Sequence, residues 1–223
     1  MLKKMESDFL VVGSGIAGLY TALKLSQLGR VLVLTKGNKK ESNTSYAQGG
    51  IAAVMAEDDS YSSHLKDTLA AGAGHCYLPA VELLVKKGPE RIRDLIALGT
   101  EFDLKDSKFD LTREGGHSQR RVLHARGDAT GKEISESLLA VAKKNTKIEI
   151  KEDFFLFDLL TAVNEKGEIR VSGVLAKDKK KEDLYIIQAA AVILAAGGAG
   201  QLFARTSNPE LTTGDGIAAA FRA

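Results

Sequence analysis

The apolar positions along this chain change period several times, and each change marks an element. Phe9 to Val12 form an unbroken apolar run that stops at Gly13, as in a strand buried on both faces. Beyond it Ile16, Leu19, Tyr20 and Leu23 recur at helical spacing, and Gly29 closes the segment. Val31 to Leu34 is a second buried run. Strand, helix and strand within about thirty residues predict a βαβ unit with a right-handed crossover, the opening of a doubly wound α/β domain.

Lys36 to Gly50 is polar and rich in Gly, Ser and Asn, which predicts a loop. Further on, Val81, Leu84 and Val85 form one apolar stripe and Ile92, Leu95 and Ile96 another. Gly88-Pro89 between them predicts two helices between Pro79 and Gly99, with the proline opening the second where its missing N–H costs nothing. Asp103 to Gly127 has no periodicity, and a structureless stretch of that length is usually functional. Ile134, Leu138 and Val141 predict another helix, with Lys143 and Lys144 placed favourably for its dipole. From Ile148 to Gln188 the period is that of strands, with turn signals at Asn164-Glu165-Lys166-Gly167 and around Asp178-Lys179-Lys180-Lys181. This predicts an antiparallel β-meander whose lysines form a solvated hairpin tip, since acids flank them. Ala189 to Ala196 reads as a separate apolar strand ending in Gly197-Gly198. No repeat or low-complexity linker divides residues 1–223, which read as one domain.

Composition narrows function by exclusion. A formal net charge of +2 over 223 residues points to no nucleic-acid or membrane surface. No apolar stretch reaches spanning length and no signal peptide opens the chain. The lone Cys76 has no partner for an internal disulfide and suits a reducing compartment, so a soluble cytoplasmic protein is expected. His117 and His124 do not stand at metal-ligand spacing. They are expected to contact cofactor, substrate or backbone, and no metal site is expected.

Gly13-Ser14-Gly15-Ile16-Ala17-Gly18 fits G-x-G-x-x-G, and its place between a predicted strand and a predicted helix gives the match weight. Gly13 allows the tight turn, Gly15 lets a pyrophosphate approach the backbone, and Gly18 lets helix and strand pack closely. The helix N-terminus would offer N–H groups and a partial positive charge to the phosphates. The acidic residue that usually holds a ribose some twenty positions on is replaced by Thr35-Lys36. A lysine offers only donors, so a plain NAD site is disfavoured and the nucleotide stays open on these residues alone.

The sharper signal lies in Asn43-Thr44-Ser45-Tyr46-Ala47-Gln48-Gly49-Gly50 and in Leu111-Thr112-Arg113-Glu114-Gly115-Gly116-His117-Ser118. His124-Ala125 with Gly127-Asp128-Ala129-Thr130-Gly131, and Asn208-Pro209 with Gly214-Asp215-Gly216-Ile217-Ala218, follow in order. Together these closely resemble the L-aspartate oxidases, within the succinate dehydrogenase and fumarate reductase flavoprotein family, over essentially the whole chain. The resemblance implies a Rossmann-like FAD-binding domain. It places FAD contacts at Ser14 to Ala17, at Lys36, along Asn43 to Gly50, near Phe155 and Leu156, and at Asp215. Gly49-Gly50 would let the backbone run beside the flavin ring. Membrane-bound succinate dehydrogenases carry in this loop a histidine bonded to the flavin. Asn43 stands there in this chain and its amide is no comparable nucleophile, so FAD is expected to be non-covalent.

A site for aspartate must accept an ammonium group that succinate lacks. The resemblance assigns substrate orientation to Glu114, with Thr112 as a second candidate contact. The structural alternative is an ion pair of Glu114 with Arg113 or Arg120. The implied reaction oxidises L-aspartate to iminoaspartate, with oxygen or fumarate as electron acceptor. Its product feeds quinolinate and NAD biosynthesis, which implies a functional link to quinolinate synthase. Family members are much longer, so the resemblance further implies an incomplete FAD-binding domain lacking capping and helical domains, and inactive alone. Two other readings stay open: a soluble fumarate reductase-like flavoprotein, against which Glu114 argues, and a non-catalytic flavin-binding module.

Overall fold

The computed structural model describes residues Met1 to Ala223. In chain order the elements are β1 (Leu2–Val12), α1 (Ile16–Leu25), β2 (Val31–Leu34), β3 (Ile51–Ala52), α2 (Tyr61–Ala71), α3 (Leu78–Ala97), β4 (Leu104–Lys105), β5 (Lys108–Phe109), β6 (Val122–Leu123), α4 (Thr130–Lys144), β7 (Ile148–Lys151), β8 (Phe154–Val163), β9 (Ile169–Asp178), β10 (Leu184–Leu194) and α5 (Asp215–Arg222). Contacts within the chain divide it into two compact units. The first comprises 1–46 and 138–223, the second 47–137.

The first unit is built on one six-stranded sheet in the order β7-β2-β1-β10-β9-β8. β7, β2, β1 and β10 run parallel, while β10, β9 and β8 are antiparallel. All four residues of β2 are buried because its alternating side chains enter two different cores. Leu32 and Leu34 join Leu10, Val174 and Ile187 on one face, and Val31 and Val33 join Val11 and Ala22 on the other. Each such side chain contributes roughly 1.5–3 kcal/mol by leaving water, which is why this strand reads as a continuous apolar run.

Two strands are longer than their apolar runs. β1 begins at Leu2, and its first half alternates between exposed and half-buried positions because only β10 flanks it there. β2 joins at Phe9, where the unbroken apolar run starts. β10 likewise runs unbroken from Leu184, and the change of pattern at Gln188 marks the last residue paired with β9. The period of these segments therefore reports how many neighbours a strand has, and the meander and the last parallel strand are one continuous surface. β7 pairs with β2 and lies at the parallel edge, outside the meander. The turn at Asn164 is closed by its side-chain oxygen accepting from the Lys166 and Glu168 amides, and Asp178 does the same for Lys180 and Lys181.

In the second unit the two expected helices between Pro79 and Gly99 are one, α3, with Pro89 inside it. An interior proline removes a hydrogen bond and costs about 3 kcal/mol. Burial of Val85, Pro89, Ile92 and Leu95 on one face outweighs that local cost. The proline in a helical first turn is Pro79. α2 carries almost no apolar pattern, since His64 is its one buried residue. It starts at Ser60, whose hydroxyl accepts from the Ser63 amide. The segment from Asp103 to Gly127 contains the β4–β5 hairpin and β6, which pairs with β3. No helix of either unit is long and apolar enough to cross a membrane.

Candidate functional site

A cavity of about 320 Å³ opens in the first unit beyond the carboxyl ends of β1, β2 and β10, where Val12, Leu34 and Ala195 line it. The strand-to-helix turn forms its floor. Gly13 has φ +116°, and a Cβ there would fall 2.1 Å from the Ala195 carbonyl oxygen. A Cβ on Gly18 would fall 1.9 Å from the Gly13 carbonyl oxygen, so both positions require glycine for chain packing alone. Gly15 differs: a Cβ there would meet only Thr44 Oγ1 at 3.3 Å and Ser42 Cβ at 3.9 Å. Gly15 is the N-cap of α1 and supplies no side-chain cap, while the Ile16 N–H donates to Thr44 Oγ1 at 3.0 Å. A helix start with its positive end lining a cavity, bared by a glycine, fits a phosphate group.

Side chains from distant stretches converge on this cavity. Ser14 Oγ donates to Thr35 Oγ1 at 3.0 Å in a buried bond that ties the glycine turn to the end of β2. Lys36 Nζ pairs with Asp215 at 2.6 Å, both side chains about one-fifth exposed, and stands 6.0 Å from the centroid of the Phe155 ring. Lys36, Phe155 and Asp215 are thus one cluster. Along β8 the pleat turns Phe154 and Leu156 into the cavity wall, while Phe155 lines a neighbouring hollow with Asp158 and Arg222. Asn43 donates through Nδ2 to Thr212 Oγ1 at 3.0 Å. Ser45 closes a turn with Ser42, and Tyr46 is exposed. Sequence reading missed Phe154, Leu211 and Thr212 as lining residues. The apolar run into Gly197 was the one signal for the Ala195–Gly197 part of the wall.

The remaining candidates belong to the second unit. Ala47, Gln48 and Gly49 are exposed, and the Ala47 carbonyl accepts from the Gly131 amide at 3.1 Å. Gly50 is packed so closely that a Cβ would lie 2.4 Å from the Leu123 carbonyl oxygen. Thr112 and Glu114 come together with His124: Nε2 of the imidazole is 3.0 Å from Thr112 Oγ1 and 2.8 Å from Glu114 Oε1. The structure pairs Glu114 with this histidine, and neither Arg113 nor Arg120 takes that place. The Glu114 side chain remains 46% exposed, enough for a ligand to reach it.

Arg121 is the residue to which the sequence alone assigns no role. Its guanidinium is fully buried, forks onto both oxygens of Asp59 at 2.8 and 2.7 Å, and also reaches Asp67 and Ser63. Asp67 accepts from both the amide and the hydroxyl of Ser118 at 2.8 Å. The Ser118 amide, joined by its hydroxyl and by Arg121, lowers the Asp67 pKa to about 2. Burial pushes Asp59 upward, but its bonds to Arg121 and to the Ser60 amide outweigh that and hold it below the ordinary carboxylate range. Burial, and then the nearby Arg121 charge, make His64 harder to protonate, and its Nδ1 has no hydrogen-bond partner. These pairs pin the Ser118 end of the loop that carries Glu114. A lysine or arginine abutting the apolar Val122-Leu123 run was the available signal.

Residues 8–223 match the family described as FAD binding domain. The chain belongs to the FAD binding domain family. FAD is accordingly its cofactor, and the glycine turn, the glycine-started helix and the cavity agree with that. Among curated relatives, L-aspartate oxidase 2-b of Nicotiana tabacum (chloroplastic) is 45% identical over 217 residues, covering 97% of this chain and 33% of its own length. The L-aspartate oxidase of Yersinia pestis is 45% identical over 224 residues, covering 97% of this chain and 42% of its own. The chain thus spans between a third and about two-fifths of the length of these relatives. Among solved structures, a mutant E. coli quinol fumarate reductase FrdA superposes with a TM-score of 0.91 at 29% identity, over 99% of this chain and 37% of that one. Mycobacterium smegmatis Sdh1 in complex with UQ1 gives 0.88 at 30%, over 99% and 38%. This FAD binding domain chain is therefore of an oxidoreductase family, and the solved reductase and dehydrogenase chains share its fold.

Proposed function

We propose that this chain serves the oxidation of L-aspartate to iminoaspartate, with FAD held non-covalently. The observation that carries the reading is Glu114, an acceptor-only carboxylate presented at the surface on a loop pinned through Ser118. An ammonium group on the substrate answers it with a charge-assisted hydrogen bond worth roughly 1.5–3 kcal/mol, whereas succinate has nothing to offer there. Bound FAD supplies the two-electron acceptor for the substrate's α-carbon. The chain's own residues hold it: Ser14 to Ala17 at the phosphates, Lys36 and Asp215 beside them, Leu156 at the adenine end, and Asn43 to Gly50 along the flavin. Thr112 shares the substrate side with Glu114. Oxygen or fumarate completes the cycle, the product passes to quinolinate formation and so to quinolinate synthase, and the lone Cys76 suits the cytoplasm.

A second reading, a fumarate reductase-like flavoprotein, is favoured by the likeness to the E. coli quinol fumarate reductase. The test is the absorbance spectrum of the protein after incubation with FAD and desalting, then titration with aspartate or succinate. The proposal expects retained flavin that acid releases, and a spectral change with aspartate that is lost in Glu114→Gln. Flavin that stays with acid-precipitated protein overturns the non-covalent assignment. A response to succinate equal to that for aspartate favours the second reading.

A further inference from the structure

Glu114 is positioned by His124, and His124 is itself held on three sides. Its Nδ1 lies 3.2 Å from the Gly127 carbonyl oxygen, which can only accept, so Nδ1 carries hydrogen. That carbonyl is fixed in turn. Asp103 accepts from the Arg126 and Gly127 amides, both at 2.9 Å, and so holds the two residues in left-handed conformations with φ 52° and 73°. The ring edge packs on Gly50, where a Cβ would stand 3.1 Å from His124 Cε1. At the far end Nε2 lies 2.8 Å from Glu114 Oε1 and 3.0 Å from the Thr112 hydroxyl; with Nδ1 already carrying hydrogen, Nε2 donates to Oε1 only in the imidazolium form and accepts from Thr112 in the neutral one. One imidazole therefore meets Gly50, Thr112 and Glu114 at once.

We propose that His124 is the positioning residue that fixes the Glu114 carboxylate relative to the Gly50 backbone, and thereby sets the preference for an aminated over a plain dicarboxylate. With Oε1 held by Nε2–H of the imidazolium, Glu114 presents Oε2 to the incoming ammonium in one orientation. Without that hold, an exposed glutamate samples several rotamers and the ammonium must order it on binding. The inference rests on the reading of Glu114 given above, and its test separates the two.

Glutamine and asparagine divide the functions of the ring. In H124Q the amide nitrogen takes the place of Nε2; in H124N it takes that of Nδ1. Dissociation constants for aspartate and succinate are read from the flavin spectrum of the FAD-loaded protein. Relative to the unsubstituted protein, H124N is expected to lose roughly tenfold to a hundredfold of aspartate affinity with succinate unchanged, and H124Q to stay within about threefold. A reversed order, with H124N active and H124Q impaired, assigns His124 a merely structural role through Gly127 and overturns the proposal. If E114Q keeps the aspartate preference, the reading of Glu114 itself has failed. A ligand-free readout accompanies these: in protein labelled with 15N-histidine, E114Q is expected to move the Nε2 resonance of His124 and leave Nδ1 in place. An unmoved Nε2 resonance overturns the positioning role whatever the ligands do.

Discussion

In residues 1–46 and 138–223 the cavity is entered by main chain and small residues at Gly13–Ala17 and Ala195–Gly197, with Lys36, Phe154, Leu156 and Asp215 completing its wall. In residues 47–137 the candidate substrate residues stand on a loop whose shape is set by side-chain ion pairs, with Arg121 at their centre. The first arrangement requires glycine at Gly13 and Gly18, where a Cβ would meet the Ala195 and Gly13 carbonyl oxygens. The second depends on every partner, because a buried charge that loses its counterpart is strongly unfavourable. Two ways of building a site thus occur in one chain, one specified by where side chains are missing and the other by where they meet.

The largest effect expected is for Arg121→Met, which leaves the Asp59 carboxylate buried and Asp67 half-satisfied. Urea denaturation should show a loss of about 3–5 kcal/mol, with hydrogen exchange rising first at α2 and the Ser118 amide. A loss below about 1 kcal/mol would show that the ion pairs are incidental to the second unit. Gly15→Val sharpens the other side of the comparison. The added side chain would crowd Thr44 Oγ1 and Ser42 beside the bared helix start, so FAD affinity should fall about a hundredfold, equivalent to about 2.7 kcal/mol, with a much smaller change in the urea midpoint. A drop in the midpoint matching the loss of affinity would place Gly15 with Gly13 and Gly18 as a packing glycine.

The smallest effect concerns pH. Burial depresses the proton affinity of His64 in the folded chain, so the unfolded chain takes up the proton first as pH falls below the ordinary 6.5. Stability contributed by neutral His64 is therefore full above that value and declines as pH falls below it. His64→Phe should flatten the fall in urea midpoint that begins below about pH 6.5, and should leave intact the acid limb of Asp67, which lies between the ordinary 3.8 and about 2. A slope in that upper window unchanged by the substitution would assign it to another group.

The same contrast governs what could be read in advance. The glycine turn, β2 and the two hairpin tips were legible because each depends on local chemistry: glycine sterics, a strand buried on both faces, and Asn or Asp closing a turn. Lys36, Phe155 and Asp215 were named from resemblance, and nothing local predicted that the three would form one cluster. Arg121 and its partners Asp59, Ser63 and Asp67 are 54 to 62 residues apart, so no window of sequence contains the arrangement. α3 was divided in two because Gly88-Pro89 is a sound local stop signal that burial of the Val85–Leu95 face overrides. His124 was singled out as a histidine of uncertain partner, and only the fold brings Glu114 and Gly50 to its ring.

The pairing of β1 with β10 also sets a schedule. Leu2 faces Leu184, and until that later strand exists the half of β1 from Leu2 to Ser7 has no neighbour in the sheet. At ribosomal rates of about 5–20 residues per second, a separation of 182 positions takes roughly 9 to 36 s to emerge. During that interval the nascent chain presents an unpaired strand edge, open to neighbouring nascent chains and to chaperones. Closure of the sheet is thus a late, long-range event, and a folding rate limited by this contact is the expected consequence of where the two strands lie in the gene.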